Sequence, residues 1–300
     1  MAGCAIETDD LTKFYGKSRG VIGLGLQVRE GEVFGYLGPN GAGKTTTIRL
    51  LMGFIRPTRG RAMVLGRDAQ SQSVALHRHT GYLPGELALY ENMTGADYLR
   101  YQASLRGGVQ WAYVRELATR LEANLSAPIR SLSHGNKHKI GLIQAFMHKP
   151  ELIILDEPTQ GLDPLVQQEF YRLVLTAKGE GRTVFLSSHV LPEVERVCDR
   201  VGIIREGKLI AVEEVSVLKA RALRQLEIHF ATPVKPEVFA HLAGVRDLSV
   251  EDDILRCTVV GSLDALVKAA ARFEVVNIVS HEPSLEEVFL AYYGGDSRAA

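Results

Sequence analysis

The stretch GPNGAGKTT, Gly38 to Thr46, carries three glycines, a lysine and two hydroxyls in nine residues. Those types at that spacing suit phosphate. Glycines let backbone N–H groups converge on phosphate oxygens without Cβ clashes, and a following helix adds the positive end of its dipole. Gly38, Pro39, Asn40, Gly41, Ala42, Gly43 and Thr46 form the cradle and Lys44 reaches the β- and γ-phosphates. The Thr45 hydroxyl is offered to the Mg²⁺ that a nucleoside triphosphate brings with it. A second set of oxygens is required, and ELIILDEP, Glu151 to Pro158, supplies it. Asp156 supports the Mg²⁺ shell. Glu157, pointing the other way, polarises a water that attacks the γ-phosphate.

Particular elements must hold these groups. EVFGYL (Glu32 to Leu37) has the apolar run of a buried strand and TTTIRLLMGF (Thr45 to Phe54) the period of a helix, so the loop joins strand to helix. Leu152 to Leu155 would deliver Asp156 and Glu157 to the carboxyl end of a parallel strand, where ligands of such sheets bind. Beyond Asp163, PLVQQEFYRLVLTAKGEG, TVFLSS, LPEVERVCD and RVGIIREGKLIAV alternate helix and strand, which predicts a largely parallel sheet. TGADYLRYQASLRG and VQWAYVRELATRLEA return apolar residues at three and four positions and predict a helical subdomain over about 86–150. From Lys219 the pattern changes. LEIHFA, KPEVFAHLA, RDLSV, DILRCTVVG, SLDALVKAAARF, VVNIVSH and SLEEVFLAYYG read as strand, helix, two strands, helix, strand, helix. That is close to a ferredoxin-like α+β unit with an added helix, which Ser284 and Glu287 open as a capping box. The expected division is 1–218 and 219–300.

Composition narrows the function classes. The formal charge is +0, so no global field recruits nucleic acid. Cys4, Cys198 and Cys257 have neither CxxC spacing nor even pairing, and read as reduced packing residues. No apolar run approaches the ~20 residues needed to cross a bilayer, and MAGCAIETDDLTK lacks the regions of a signal peptide. His134 and His138, four apart, have no third metal ligand nearby and read as a solvated helix face; His77 to His79 read as surface.

Further motifs carry a family resemblance. In order along Leu11 to Ile210 come Tyr15 in TKFYGK, the phosphate loop, LSHGNKHK (Leu132 to Lys139), ILDEP, GLD (Gly161 to Asp163) and His189 in FLSSHV. The chain resembles the ATPase subunit of an ATP-binding cassette (ABC) transporter. The resemblance implies a P-loop NTPase α/β cassette that hydrolyses ATP with Mg²⁺. Tyr15 would stack on adenine, His189 would act as the switch histidine, and Asp163 would cross a dimer interface. Ser133, His134, Gly135 and Asn136 would form the signature loop, which closes on the nucleotide of a second subunit. It further implies a homodimer or pseudo-dimer on the cytoplasmic face of the membrane, peripheral through a separate permease. The C-terminal extension resembles the drug- and antibiotic-exporter branch; an importer ATPase or a non-transport ABC protein are the alternatives. Two positions depart from the pattern. His134 and Asn136 stand where the signature has glycine and glutamine, and Gly85 stands where a Mg²⁺-sensing glutamine is usual. Glu86 either supplies the missing oxygen or is an ordinary loop glutamate. Leu87, Leu89 and Tyr90 either meet the permease or pack the loop.

Overall fold

The computed structural model describes residues 3–221 and 223–281, which form two compact units, Met1–Glu213 and Glu214–Ala300. The first unit opens with β1 (Cys4–Tyr15), β2 (Ser18–Leu24) and β3 (Gln27–Arg29), then β4 (Val33–Leu37) and α1 (Lys44–Leu51), with β5 (Arg59–Val64) and β6 (Arg67–Asp68) following. β1, β2, β3, β5 and β6 make an antiparallel sheet, order β2-β1-β5-β6 with β3 also on β1. Next come α2 (Ser73–His79), β7 (Thr80–Leu83), the helices α3 (Gly95–Leu105), α4 (Trp111–Arg120) and α5 (His134–Phe146), and β8 (Leu152–Asp156). The unit closes with α6 (Pro164–Gly179), β9 (Thr183–Ser188), α7 (Leu191–Val197), β10 (Arg200–Arg205) and β11 (Lys208–Glu214).

The second sheet has the order β11-β10-β4-β9-β8-β7, and its ladders from β10 to β7 are all parallel. Every residue of β4, β8 and β9 is buried. Their unbroken apolar runs are what a strand covered on both faces requires. Phe34 and Phe185 stack at 5.9 Å and Tyr36 meets Phe185 at 5.4 Å, so β4 and β9 are locked by their side chains as well as by the ladder. The parallel arrangement turns the ends of β4, β7, β8 and β9 to one side, and the chemistry-bearing loops leave from there.

The second unit holds α8 (Val215–Arg221), β12 (Leu223–Phe230), β13 (Val245–Glu251), β14 (Ile254–Val260), α9 (Asp264–Ala270) and β15 (Val275–His281). Its sheet is antiparallel in the order β13-β14-β12-β15, over a core in which Phe230, Phe239 and Phe273 meet pairwise at 5.8–5.9 Å. The helix predicted for KPEVFAHLA is a single 3₁₀ turn, Pro236–Val238. Phe239 buries fully just after it, so the segment follows one anchor instead of presenting a helical stripe. The helix expected from Ser284 lies outside the described residues. Of the cysteines, Cys198 and Cys257 are buried, but Cys4, the first residue of β1, is exposed and is not a packing residue.

Candidate active site

The phosphate loop follows β4 and ends where α1 begins. Gly43 caps α1 with a φ of 111°, and a Cβ there would stand 2.7 Å from the Gly20 carbonyl, so only glycine fits both the backbone and the space. The Lys44 ammonium, 6% exposed, turns back along the loop and donates to the Gly38 carbonyl at 2.6 Å and the Pro39 carbonyl at 3.3 Å. It also pairs with Glu157 Oε1 at 3.1 Å. A cleft of about 210 Å³ lies over this loop, lined by Pro39, Asn40, Gly41, Gly43, Lys44, Thr45, Thr46 and Glu157, with Arg19 and Gly20 at its side. Tyr15, 45% exposed, stands beside it: a Cβ on Gly20 would be 3.2 Å from the Tyr15 ring and 2.9 Å from Thr46 Cγ2.

The carboxylates arrive on β8. Asp156, its last residue, is 1% exposed and is held from two directions. Thr45 donates its hydroxyl to Oδ2 at 2.7 Å and Ser187 donates to Oδ1 at 2.5 Å. Burial and this carboxylate together push the Tyr82 phenol up to about 12. Glu157 is the first residue past the strand and takes φ 52°, a left-handed conformation costly for a side chain with a Cβ. Three contacts hold it there. Its N–H donates to Ser187 Oγ at 3.1 Å, its Oε1 faces Lys44, and its Oε2 meets His189 Nδ1 at 2.8 Å. Lys44, Thr45, Asp156, Glu157 and His189 are thus one connected group drawn from β4–α1, β8 and β9. The Thr45 hydroxyl and the Asp156 carboxylate, side by side, are the hard oxygens that suit Mg²⁺.

The signature residues form a second locus. Ser133 caps α5, its hydroxyl accepting from Asn136 N at 3.3 Å, while His134 and Gly135 occupy the first turn. This turn abuts the loop carrying Gly161: a Cβ on Gly135 would lie 2.7 Å from the Gly161 carbonyl, and one on Gly161 2.9 Å from His134 Nδ1. Asp163 caps α6 by accepting from Val166 N, and that bond holds its carboxyl below the usual range. The solvated face expected for the two histidines is half wrong. His134 is exposed, but His138 is buried, stacks on His134 at 6.2 Å and meets the Pro158 carbonyl at 2.8 Å; burial pushes the pKa of its imidazole down. Glu151 and Met52 O take His79 and His77, so that pair is also tied to the fold.

Gly85 has no left-handed φ, and a Cβ on it would stand 3.3 Å from Asp156 Oδ2. The position where a glutamine is usual therefore does face the carboxylate. Glu86, next to it, is exposed and makes no side-chain bond among the described residues. Leu87 and Leu89 are half-buried, and Leu87 packs within reach of Gly141 on α5; Tyr90 is 54% exposed and edges onto Tyr98 and Tyr101.

Sequence reasoning missed three groups. Ser187 bridges Asp156 and the Glu157 backbone because Asp156 and Ser187 are partners in the β8–β9 ladder. Glu193 accepts from Thr159 at 2.6 Å and from Ser188 at 2.7 Å, fastening the loop after β8 to the end of β9. Arg19 flanks the cleft. The pair of serines beside His189 was the available signal for the first; nothing in the sequence gives the register that makes it count.

The ABC transporter family matches residues 21–160. The bacitracin transport ATP-binding protein BcrA of Bacillus licheniformis is 36% identical over 298 residues, 97% of this chain and 97% of that protein. Among solved structures, an ATP-binding subunit of an ABC transporter superposes with a TM-score of 0.66 at 31% identity, covering 72% of this chain and 92% of its own. The dimeric post-hydrolysis state of the ATP-binding cassette MJ0796 bound to ADP and Pi has a TM-score of 0.65 at 19% identity, over 70% of this chain and 98% of that one, a likeness of fold.

Proposed function

This chain belongs to the ABC transporter ATP-binding family, and from that premise we propose that it hydrolyses ATP to drive a separate membrane permease exporting a drug or antibiotic. The observation that carries the chemistry is the clasp on Glu157. A carboxylate fixed by Lys44 on one oxygen and His189 on the other, at the mouth of a phosphate cleft, is placed to accept a proton from an attacking water. Lys44 and the loop N–H groups hold the phosphates, Tyr15 takes the adenine, and His189 keeps Glu157 in one rotamer. Thr45 and Asp156 would hold Mg²⁺, whose charge offsets that of the phosphates when it is bound. Similarity to a bacitracin transport protein along nearly the whole chain supports the exporter reading. No helix among the described residues is long and apolar enough to cross a membrane; in this reading a separate permease does the spanning. In the dimer we propose, Ser133 and Gly135 of one cassette close on the γ-phosphate of the other.

The test is phosphate release by the purified chain, alone and with the multi-span protein that co-purifies with it. Turnover lost in Lys44→Ala and raised by the partner is the expected result. Turnover that survives Lys44→Ala, or a chain that binds no membrane protein, would reject the reading.

A further inference from the structure

The cleft contains a second cation besides Lys44. Arg19 lines it too, next in the chain to Gly20, which packs against Thr46 and the Tyr15 ring. Its place is fixed by an irregularity in the first sheet: Lys13 pairs with Val21 but Phe14 pairs with Arg19, which leaves Gly20 as an extra residue on β2. Such a bulge re-aims the side chain next to it. The bulge sits tight against α1, where a Cβ on Gly20 would be 2.9 Å from Thr46 Cγ2.

Arg19 donates to Glu206 at 3.2 Å, with the two side chains 51% and 61% exposed. Glu206 and Gly207 form the turn between β10 and β11 with φ 52° and 76°. The Gly207 N–H donates to Ala42 O in the phosphate loop at 2.9 Å, and its carbonyl accepts from Ile22 N at 2.7 Å. The counter-ion is therefore carried on a turn hydrogen-bonded to the phosphate loop itself. Each cation of the cleft has one carboxylate, Lys44 with Glu157 and Arg19 with Glu206. An exposed pair of the second kind is weak, whereas a phosphate offers a guanidinium more charge and a bidentate fit.

We propose that Arg19 is a nucleotide-positioning residue that leaves Glu206 to bind the phosphates on the ribose side of a nucleoside di- or triphosphate, and that Glu206 is the competing counter-ion. The inference rests on the ATPase reading above. Their neighbours divide the labour: Lys44 is paired with Glu157, whereas Gly20, next to Arg19, lies against the Tyr15 ring.

The experiment is calorimetric binding of ADP and of ATP to the full chain and to Arg19→Ala, Arg19→Lys and Glu206→Gln. Arg19→Ala should weaken both nucleotides by a similar factor, about tenfold for the loss of one charge-assisted contact. Arg19→Lys should recover part of the affinity, which a purely structural role for Arg19–Glu206 would not give. Glu206→Gln should tighten both nucleotides, because Arg19 is then free. Undiminished binding in Arg19→Ala, a loss confined to ATP, or weaker binding in Glu206→Gln would overturn the assignment while leaving the ATPase reading in place. A parent chain that binds neither nucleotide would overturn both. Should Arg19→Ala fail to fold, the opposite signs expected for Arg19→Lys and Glu206→Gln still decide the question.

Discussion

At the scale of single residues, Glu157 combines a demanding backbone with a demanding task. A left-handed φ costs about 1–2 kcal/mol for a residue with a Cβ, and here the Ser187 hydroxyl, Lys44 and His189 hold it. Glu157→Gln keeps the shape and loses the basic oxygen. It should still bind MgATP yet turn it over about 100-fold or more slowly, the range usual for losing a general base. Single-turnover phosphate release checks this, and turnover near the parent rate would remove Glu157 from the role. How far this group was readable depended on where each partner lies in the chain. Lys44 and Thr45 announce themselves because their whole context is local, a strand, a glycine loop and a helix. Ser187 does not, since its meaning comes from standing opposite Asp156 in a ladder between two strands. Arg19 was hidden for the same reason, being aimed by a one-residue bulge that only pairing reveals.

Elements show how the loops around the site are held. β7 pairs Leu83 with Leu155, so the chain leaving β7 meets the chain leaving β8 and puts Gly85 beside Asp156. Gly85→Gln has an acceptable backbone, and its Cβ contact at 3.3 Å asks the carboxylate to give by a few tenths of an ångström. That variant should fold and alter ATPase stimulated by the membrane partner more than the basal rate. A collapse in thermal stability would show that the glycine is kept for space. At the opposite ends of the strands, His148 follows α5 and precedes β8, with Arg106 Nη1 at 3.0 Å. Burial first, and then the Arg106 charge, push its imidazole down to about 4. The folded state thus prefers neutral His148 while the unfolded chain protonates near pH 6.5, so the unfolded state takes up more protons between those values. The stabilisation is present above pH 6.5 and is lost as pH falls toward 4. Denaturant melts across that range should show the fall, and His148→Gln should flatten it; an unchanged slope would contradict the buried neutral state. The helices of this region were legible from their periodicity. His138 was misread because the helix presents it to the Pro158 carbonyl, a contact made by a residue 20 positions away.

For the molecule as a whole, the fold was legible because its buried strands are continuous apolar runs with motifs at their ends. The second unit was less so, since Phe239 anchors a segment whose composition reads as helix. The signature turn and the loop at Gly161 lie against each other within one chain, outside the set of side chains that clasp Glu157. On the proposed function, ATP should bring two cassettes together when hydrolysis is blocked by Glu157→Gln. Adding Ser133→Arg should return them to monomers, as light scattering with and without ATP would read; a dimer indifferent to both would assign assembly to residues 214–300. The order of the parallel sheet has a consequence for synthesis. β4, which carries the phosphate loop, is flanked by β9 and β10, strands that begin at Thr183 and Arg200. An emerging chain therefore holds a fully apolar strand with no neighbour to pair until those residues leave the ribosome, a wait of roughly 10–30 s at 5–20 residues per second.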